Sequence, residues 1–508
     1  MLNSKEIPAR VGVSLVANGL RALIGFATAM LLARWLGPSE YGRVVFLLAS
    51  HIAIRQFLDM GTSSAFFTFL SERARSRYFI LIFWSWISLQ FLLLFALVAV
   101  ILPEGIVDKI WNGEGRWLVI LAMASGFFQG TVWQCAAQMG EAQRETAKVQ
   151  LVGILVLILH LCLLTIAWMT DELTINLIFM LSIFEWGIAS YFVYKLYKTQ
   201  DSILVTKPPE SENFLIIFQK YRYYCIPLIP LAWLGSVHDF FDRWMLQTWS
   251  GPEEQAYFGI AAQISSISLL AATAILRIFW KEISEANESG DYVRVGNLYQ
   301  KTCKMLFFCG AFLSGGILPW ASEILLLMAG NQYIEGVLTF SLMLFFPIHQ
   351  CLGQITNTMF YATRNTFLLM IVNGFFLIIG MGFTYLVLAP SSMYIPGYQL
   401  GSTGLALKLI IMQLIFVNIS MWTLSKKFKW PFEYSYQVWA ILVCFTVSQL
   451  GYALVNLHYF SELFVVLKVG GFCVIYLAIL TFIVSINPKL IGLNKDIIAL
   501  FSNGFKMK

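Results

Sequence analysis

Apolar runs long enough to cross a bilayer recur along the whole chain, and this feature decides most of what it can fold into. Crossing the hydrocarbon takes about 20 apolar residues per helix. Fourteen such segments can be read, at 12–34, 43–70, 78–102, 116–139, 147–170, 174–197, 221–249, 256–282, 302–328, 335–362, 366–388, 400–424, 435–457 and 461–485. They are numbered below as spans 1 to 14. Backbone N–H and C=O groups have no water to pair with inside a bilayer, so each span must be a helix. Gly251-Pro252 and Gly330-Asn331 supply clear breaks between spans. The longest mainly polar stretches, 197–222 and 281–304, are about two dozen residues each, too short for an independent domain of at least ~50. Composition agrees, with 58% hydrophobic and 12% charged residues, where soluble domains carry about 25% charged. The expected fold is all-α and polytopic.

The net charge of +6 invites a nucleic-acid reading, but the cations are distributed as a topology signal. Taken alternately, one set of segments between spans holds 24 Lys and Arg, and the other holds only Arg34, Arg43, Lys109 and Arg116. By the positive-inside rule, both termini are then cytoplasmic. Lys5 and Arg10 precede the first apolar run, which reads as an uncleaved first span rather than a signal peptide. The eight cysteines form no C-x-x-C pair, so no disulfide framework or zinc site is expected. No Walker A pattern, H-E-x-x-H motif or Cys/His cluster occurs, so neither cofactor nor metal is expected.

Two loops carry the same motif. After span 1 the chain reads Trp35-Leu-Gly37-Pro38-Ser-Glu40-Tyr41-Gly42; after span 7 it reads Trp249-Ser-Gly251-Pro252-Glu-Glu254, with Tyr257 and Gly259 close behind. Both are W-x-G-P-x-E, displaced by 214 residues. Gly-Pro makes a tight turn between antiparallel helices, and the Glu stands where it can favour the next helix N-terminus. Spans 1 and 7 leave the same side, so the halves read as parallel repeats, an arrangement typical of transporters with a substrate site between repeats. The expected organisation is a six-helix bundle at 1–198, a linker at 199–220, and a second six-helix bundle at 221–425. The two bundles are related by pseudo-two-fold symmetry, and 426–508 append a transmembrane hairpin (spans 13 and 14) and a tail.

The opening, with Leu32-Ala33-Arg34-Trp35-Leu36-Gly37-Pro38-x-Glu40-Tyr41-Gly42, resembles that of lipid-linked polysaccharide flippases. These form the O-antigen (Wzx-type) branch of the multidrug/oligosaccharidyl-lipid/polysaccharide exporter superfamily. Asp59-x-Gly61 followed by Ala65, and Asp242 ahead of the second Gly-Pro turn, are similar to that family too. The resemblance implies alternating-access translocation of an undecaprenyl-diphosphate-linked oligosaccharide from the cytoplasmic to the periplasmic leaflet of a bacterial inner membrane. It also implies work alongside a polysaccharide polymerase and chain-length machinery. Multidrug exporters share the fold, so fold alone does not select the substrate.

Ionisable side chains near mid-bilayer cost roughly 2.5–3.5 kcal/mol each on insertion scales, so each needs a partner or water. Arg21 in span 1, Arg55 and Asp59 in span 2, Glu185 in span 6, and Asp239, Asp242 and Arg243 in span 7 are so placed. Arg55 and Asp59 are four residues apart, as are Asp239 and Arg243, and His238 and Asp242; such pairs either neutralise one another or line a hydrated path. Arg21 has no acid three or four residues away and is the expected partner of a diphosphate, with Asn18 beside it. Arg277 near the cytoplasmic end of span 8 is a further cavity candidate, and Lys408 and Lys468 read as snorkelling. Asp59, Asp239, Asp242 and Glu185 are candidates for ion coupling. Gln129, Gln134, Gln138, Gln263, Gln354 and Asn357 suit either sugar hydroxyls or interhelical hydrogen bonds, and the tryptophans read as interfacial belts. Two other classes compete: an ion-coupled small-molecule or multidrug antiporter of the same fold, and a multispanning glycan transferase or polymerase. The enzyme class would need acid and base groups on a sizeable external loop, and the external loops here are short and sparse.

Overall fold

The computed structural model describes residues 6–72, 75–142, 145–199, 213–269, 276, 279, 282–363, 365–457 and 465–492. All regular structure among them is helical. Ten helices are long and apolar enough to cross a membrane, or up to eleven if the bent pair Asn331–Met343 and Phe346–Ala362 is one span. The helix Glu6–Asp59 holds spans 1 and 2 together across a kink at Gly37. Spans 7 and 8 correspond to Ile229–Ser250 and Pro252–Ser265, which carry more polar residues; much of the rest of span 8, Arg277 included, lies outside the described residues. The chain divides into two compact units, Met1–Ala256 and Tyr257–Lys508.

In the first unit the two Gly-Pro turns share one backbone conformation. Gly37 has φ 78° and ψ 170°, and Gly251 has φ 89° and ψ 175°. That region is open essentially only to glycine, and the proline that follows suits the first turn of the next helix. The turns also meet: a Cβ on Gly42 would stand 1.8 Å from the carbonyl oxygen of Pro252. Below this contact, span 7 lies along span 2. Ser236 Oγ donates to the Ala53 carbonyl at 2.5 Å, and Trp233 stacks on Phe57 with centroids 4.9 Å apart.

Spans 2 and 7 are not the continuous helices read at 43–70 and 221–249. Span 2 stops at Asp59, passes Met60 (φ 49°) and Gly61 (φ 83°), and restarts as Thr62–Glu72. Span 7 is split into Phe214–Cys225 and Ile229–Ser250, with Pro230 in the first turn of the second piece, where its missing N–H is tolerated. The two breaks are in contact, since a Cβ on Gly61 would fall 2.9 Å from Leu228 Cδ1. The short lower pieces pack through aromatic rings: Phe69 meets Tyr221 edge-on at 5.2 Å and Tyr224 edge-on at 5.8 Å.

In the second unit, spans 9, 10, 12 and 13 share a core around Phe307, Ile348, Ile355, Val417 and Cys444. The appended hairpin docks on span 9 through Gly315 and Gly316, which leave room for Tyr476. Tyr476 Oη donates to the Phe312 carbonyl at 2.9 Å, and Ser448 Oγ to that of Gly315 at 2.5 Å. Lys408 is 1% exposed, so it is enclosed by protein and does not snorkel.

Candidate substrate cavity

Arg21 lies half-buried on span 1, one helical turn beyond exposed Asn18. Both line an open cavity of about 370 Å³ within the first unit, together with Ala22, Gln129, Trp133, Leu157 and Trp186. Span 5 comes close because residue 153 is glycine, where a Cβ would meet Trp133 at 3.2 Å and Arg21 Nε at 3.4 Å. Arg21 Nη1 donates to Gln150 Oε1 at 3.1 Å, and Gln150 Nε2 reaches Glu141 Oε1 at 3.4 Å. The direct partner of the guanidinium is thus a neutral amide, with the carboxylate one residue further away. A guanidinium carries five N–H donors in a planar fork, and the bond to Gln150 uses one of them.

Span 4 supplies Gln129 from an irregular turn. Residues Phe128–Val132 form a π-helical segment, a distortion that often accompanies function because it re-aims side chains. Gly130, in the same segment, lies against Arg55, whose Nη1 would be 3.0 Å from an added Cβ. Arg55 Nη2 donates to Gln134 Oε1 one turn on. Asp59 does something different with its carboxylate: Oδ1 accepts the Ser63 backbone N–H at 3.0 Å, the Ser63 hydroxyl at 2.5 Å and the Thr62 hydroxyl at 3.1 Å. It caps the restarted half of span 2. Arg55 and Asp59 therefore serve separate partners rather than forming the intrahelical pair their spacing suggested.

The remaining candidates fall into two groups. On span 7, His238 lies between two acids, with Nδ1 3.1 Å from Asp239 Oδ1 and Nε2 3.9 Å from Asp242 Oδ2. Asp239 is exposed, Asp242 is buried and Arg243 is half-buried. On spans 5 and 6, His160 Nδ1 sits 2.6 Å from Glu185 Oε2, with the side chains 14% and 5% exposed. Glu185 Oε1 is buried without a hydrogen-bond partner. His160 is three residues from Leu157 and Glu185 adjoins Trp186, so this pair lies next to the cavity wall.

Sequence reasoning missed Trp133 and Trp186 as lining residues, having assigned tryptophans to interfacial belts. Their rings stand 5.1 Å apart, tilted by 57°. The available signal was position: Trp133 is one turn from Gln129, and Trp186 follows a mid-span acid. No group of three or more His, Cys, Asp or Glu that could hold a metal occurs among the described residues.

Comparison with solved structures places this arrangement. The chain is similar to a lipid II flippase, MurJ, in an inward closed conformation, with a TM-score of 0.67 at 14% identity over 92% of this chain and 98% of that one. The likeness is one of fold. An inward-facing multidrug resistance MATE transporter of the MOP superfamily matches with a TM-score of 0.61 at 14% identity, over 80% of this chain and 94% of that one. A MOP-superfamily transporter from Pyrococcus furiosus matches at 0.56 and 15% identity, over 82% and 94%. No family model matches the sequence, and no curated protein does. The ten helices among the described residues that are long and apolar enough to cross a membrane make this a multi-pass membrane protein.

Proposed function

We propose that the chain is a flippase that moves an undecaprenyl-diphosphate-linked oligosaccharide from the cytoplasmic to the periplasmic leaflet by alternating access, in polysaccharide biosynthesis. The observation that carries this is Arg21: a guanidinium in an open cavity, held by an amide instead of a carboxylate, beside Asn18, Gln129 and two indole rings. Its planar fork matches a phosphate oxyanion, the amides match sugar hydroxyls, and the indoles offer apolar faces to sugar rings. Likeness in fold to a lipid II flippase over nearly the full length of both chains supports a lipid-linked cargo. Both termini are assigned to the cytoplasm on the charge distribution, and a polysaccharide polymerase and chain-length machinery are the assigned downstream partners.

The test is reconstitution. The purified chain in vesicles should move a lipid-linked oligosaccharide to the opposite leaflet with its mass unchanged, and Arg21→Ala should abolish this while Arg21→Lys retains part of it. A product of altered mass means a transferase or polymerase. Normal movement by Arg21→Ala would remove the phosphate role.

The MATE likenesses favour a second reading, an ion-coupled small-molecule antiporter. The His160–Glu185 pair is a candidate for the coupling ion under either reading, because it sets a carboxylate 5% exposed at 2.6 Å from an imidazole inside the spans. Export of a dye or drug without any effect on lipid-linked sugar would favour the antiporter.

A further inference from the structure

The second unit contains a polar site that shares no lining residue with the Arg21 cavity. At one end of the bundle, the start of helix Tyr434–Val455 and the end of helix Val465–Ile486 open onto a cavity of about 670 Å³. One part of its lining is polar, with Lys304, Glu433, Ser435 and Asn487; the rest is apolar, with Val443 and Ile483 among the lining residues. Its lining residues Trp439 and Ile486 are exposed by 63% and 62%, so the cavity is continuous with the apolar outer surface of the hairpin. An amphipathic pocket on such a surface suits a bilayer lipid.

The charges say which kind. Lys304 Nζ and Glu433 Oε2 are paired at 2.5 Å, with the carboxylate half exposed. Lys304 also sits over the Tyr436 ring at 5.5 Å. Tyr436 fixes the back wall, its hydroxyl 2.7 Å from the Lys304 carbonyl and 2.6 Å from the Leu490 carbonyl. A headgroup carrying only negative charge would gain Lys304 but face the Glu433 carboxylate at short range. A headgroup with a phosphate and an ammonium can meet both, phosphate to Lys304 with Ser435 and Asn487, ammonium to Glu433. Only an ammonium that bears N–H groups can hydrogen-bond that carboxylate; a trimethylated one cannot.

We infer that this groove binds a zwitterionic glycerophospholipid with a primary ammonium, of the phosphatidylethanolamine type, which braces the hairpin against span 9. Its head lies between Lys304 and Glu433 and an acyl chain runs along Val443 and Ile483.

Native mass spectrometry of the full chain in detergent, offered equal phosphatidylethanolamine, phosphatidylglycerol and phosphatidylcholine, tests it without any transport step. The expected result is one phosphatidylethanolamine retained in preference to the other two. Glu433→Gln keeps the shape of an exposed side chain, and losing its half-exposed ion pair should reduce the preference over phosphatidylcholine about fivefold and raise retention of phosphatidylglycerol. Lys304→Gln should weaken retention of both phosphatidylethanolamine and phosphatidylglycerol. Equal retention of all three lipids, or an unchanged preference in Glu433→Gln, overturns the inference. So does displacement of the bound lipid by a lipid-linked diphosphate at equal concentration, which would make the groove part of the cargo path.

Discussion

The two units place their polar groups in different ways. In the first, Arg21, Arg55, Asp59, Glu185, Asp242 and Arg243 bring formal charge into the spans, and several end on neutral partners or at the cavity. In the second, Lys408 and Lys468 also bring charge into the spans, but the hydrogen-bonded pairs inside the bundle among the described residues are largely neutral: Tyr299 with Thr356 at 3.0 Å, Thr339 with Ser402 at 2.7 Å, and Asn418 with Gln437 at 2.8 Å. Neutral pairs satisfy buried donors with little electrostatic reach, whereas charges acting on an amide keep a field that an anionic or protonic cargo can feel. Under the proposed function, the difference would give electrostatic work to the first unit and bracing to the second.

The strongest way to break that comparison is Arg21→Ala. Loss of charge-assisted hydrogen bonds to a diphosphate should lower lipid-linked sugar movement about a hundredfold, with the protein still in the membrane. A variant of wild-type activity would show that the first unit's charges are structural. Gly42→Ala comes next. A methyl group cannot occupy a point 1.8 Å from the Pro252 oxygen, so the turns must separate, at a cost of about 1–3 kcal/mol. Thermal unfolding in detergent should show it; an unchanged midpoint would mean the contact is not held in solution. The same displacement that relates the two motifs brings Gly42 onto Ala256, so the second copy tolerates the methyl that the first does not.

A smaller effect is expected of Glu185→Gln, which keeps the size and removes the exchangeable charge. If protons couple there, movement driven by a pH gradient should fall about tenfold, a factor worth 1.4 kcal/mol, while downhill exchange persists. Equal loss of both would mark the pair as structural. The smallest belongs to the second unit. Thr356→Val removes the Tyr299 hydroxyl's bond to Thr356, leaving it Cys303 alone, and should cost about 1 kcal/mol of stability, with cargo movement unchanged. A transport defect there would erase the division between the units.

Much of the fold was legible because hydrocarbon imposes a simple rule on the backbone, and apolar length alone therefore locates most helices. The Gly-Pro turns were legible for a similar reason, as few residues can adopt their φ and ψ. Arg21 stood out through the absence of an acid at helical spacing. What escaped depended on contacts between distant segments. Asp59-x-Gly61 was noticed as a motif, yet its role as a helix break with a cap needs the left-handed Met60 and the hydroxyls of Thr62 and Ser63 to be seen together. His160 and Glu185 are 25 residues apart on different helices, so no local pattern joins them. Lys408 looked like a snorkelling lysine because a sequence shows depth but not enclosure.

The paired breaks in spans 2 and 7 have a mechanical meaning. Gly61 and Leu228 touch at one level, and below that level two short rods, Thr62–Glu72 and Phe214–Cys225, are stitched together by rings. A rod of 11 residues is about 16 Å long, so a tilt of about 20° at its joint carries the tip about 6 Å. Such a tilt would work against the bonds that remain at the joint, among them Leu228 N–H to the Cys225 carbonyl at 2.8 Å, Ala65 N–H to that of Gly61 at 3.0 Å and the Asp59 cap on Ser63. Any tilt at the joint would carry the two rods together, because their rings pack on each other, while the Gly42–Pro252 contact lies on the far side of the joint.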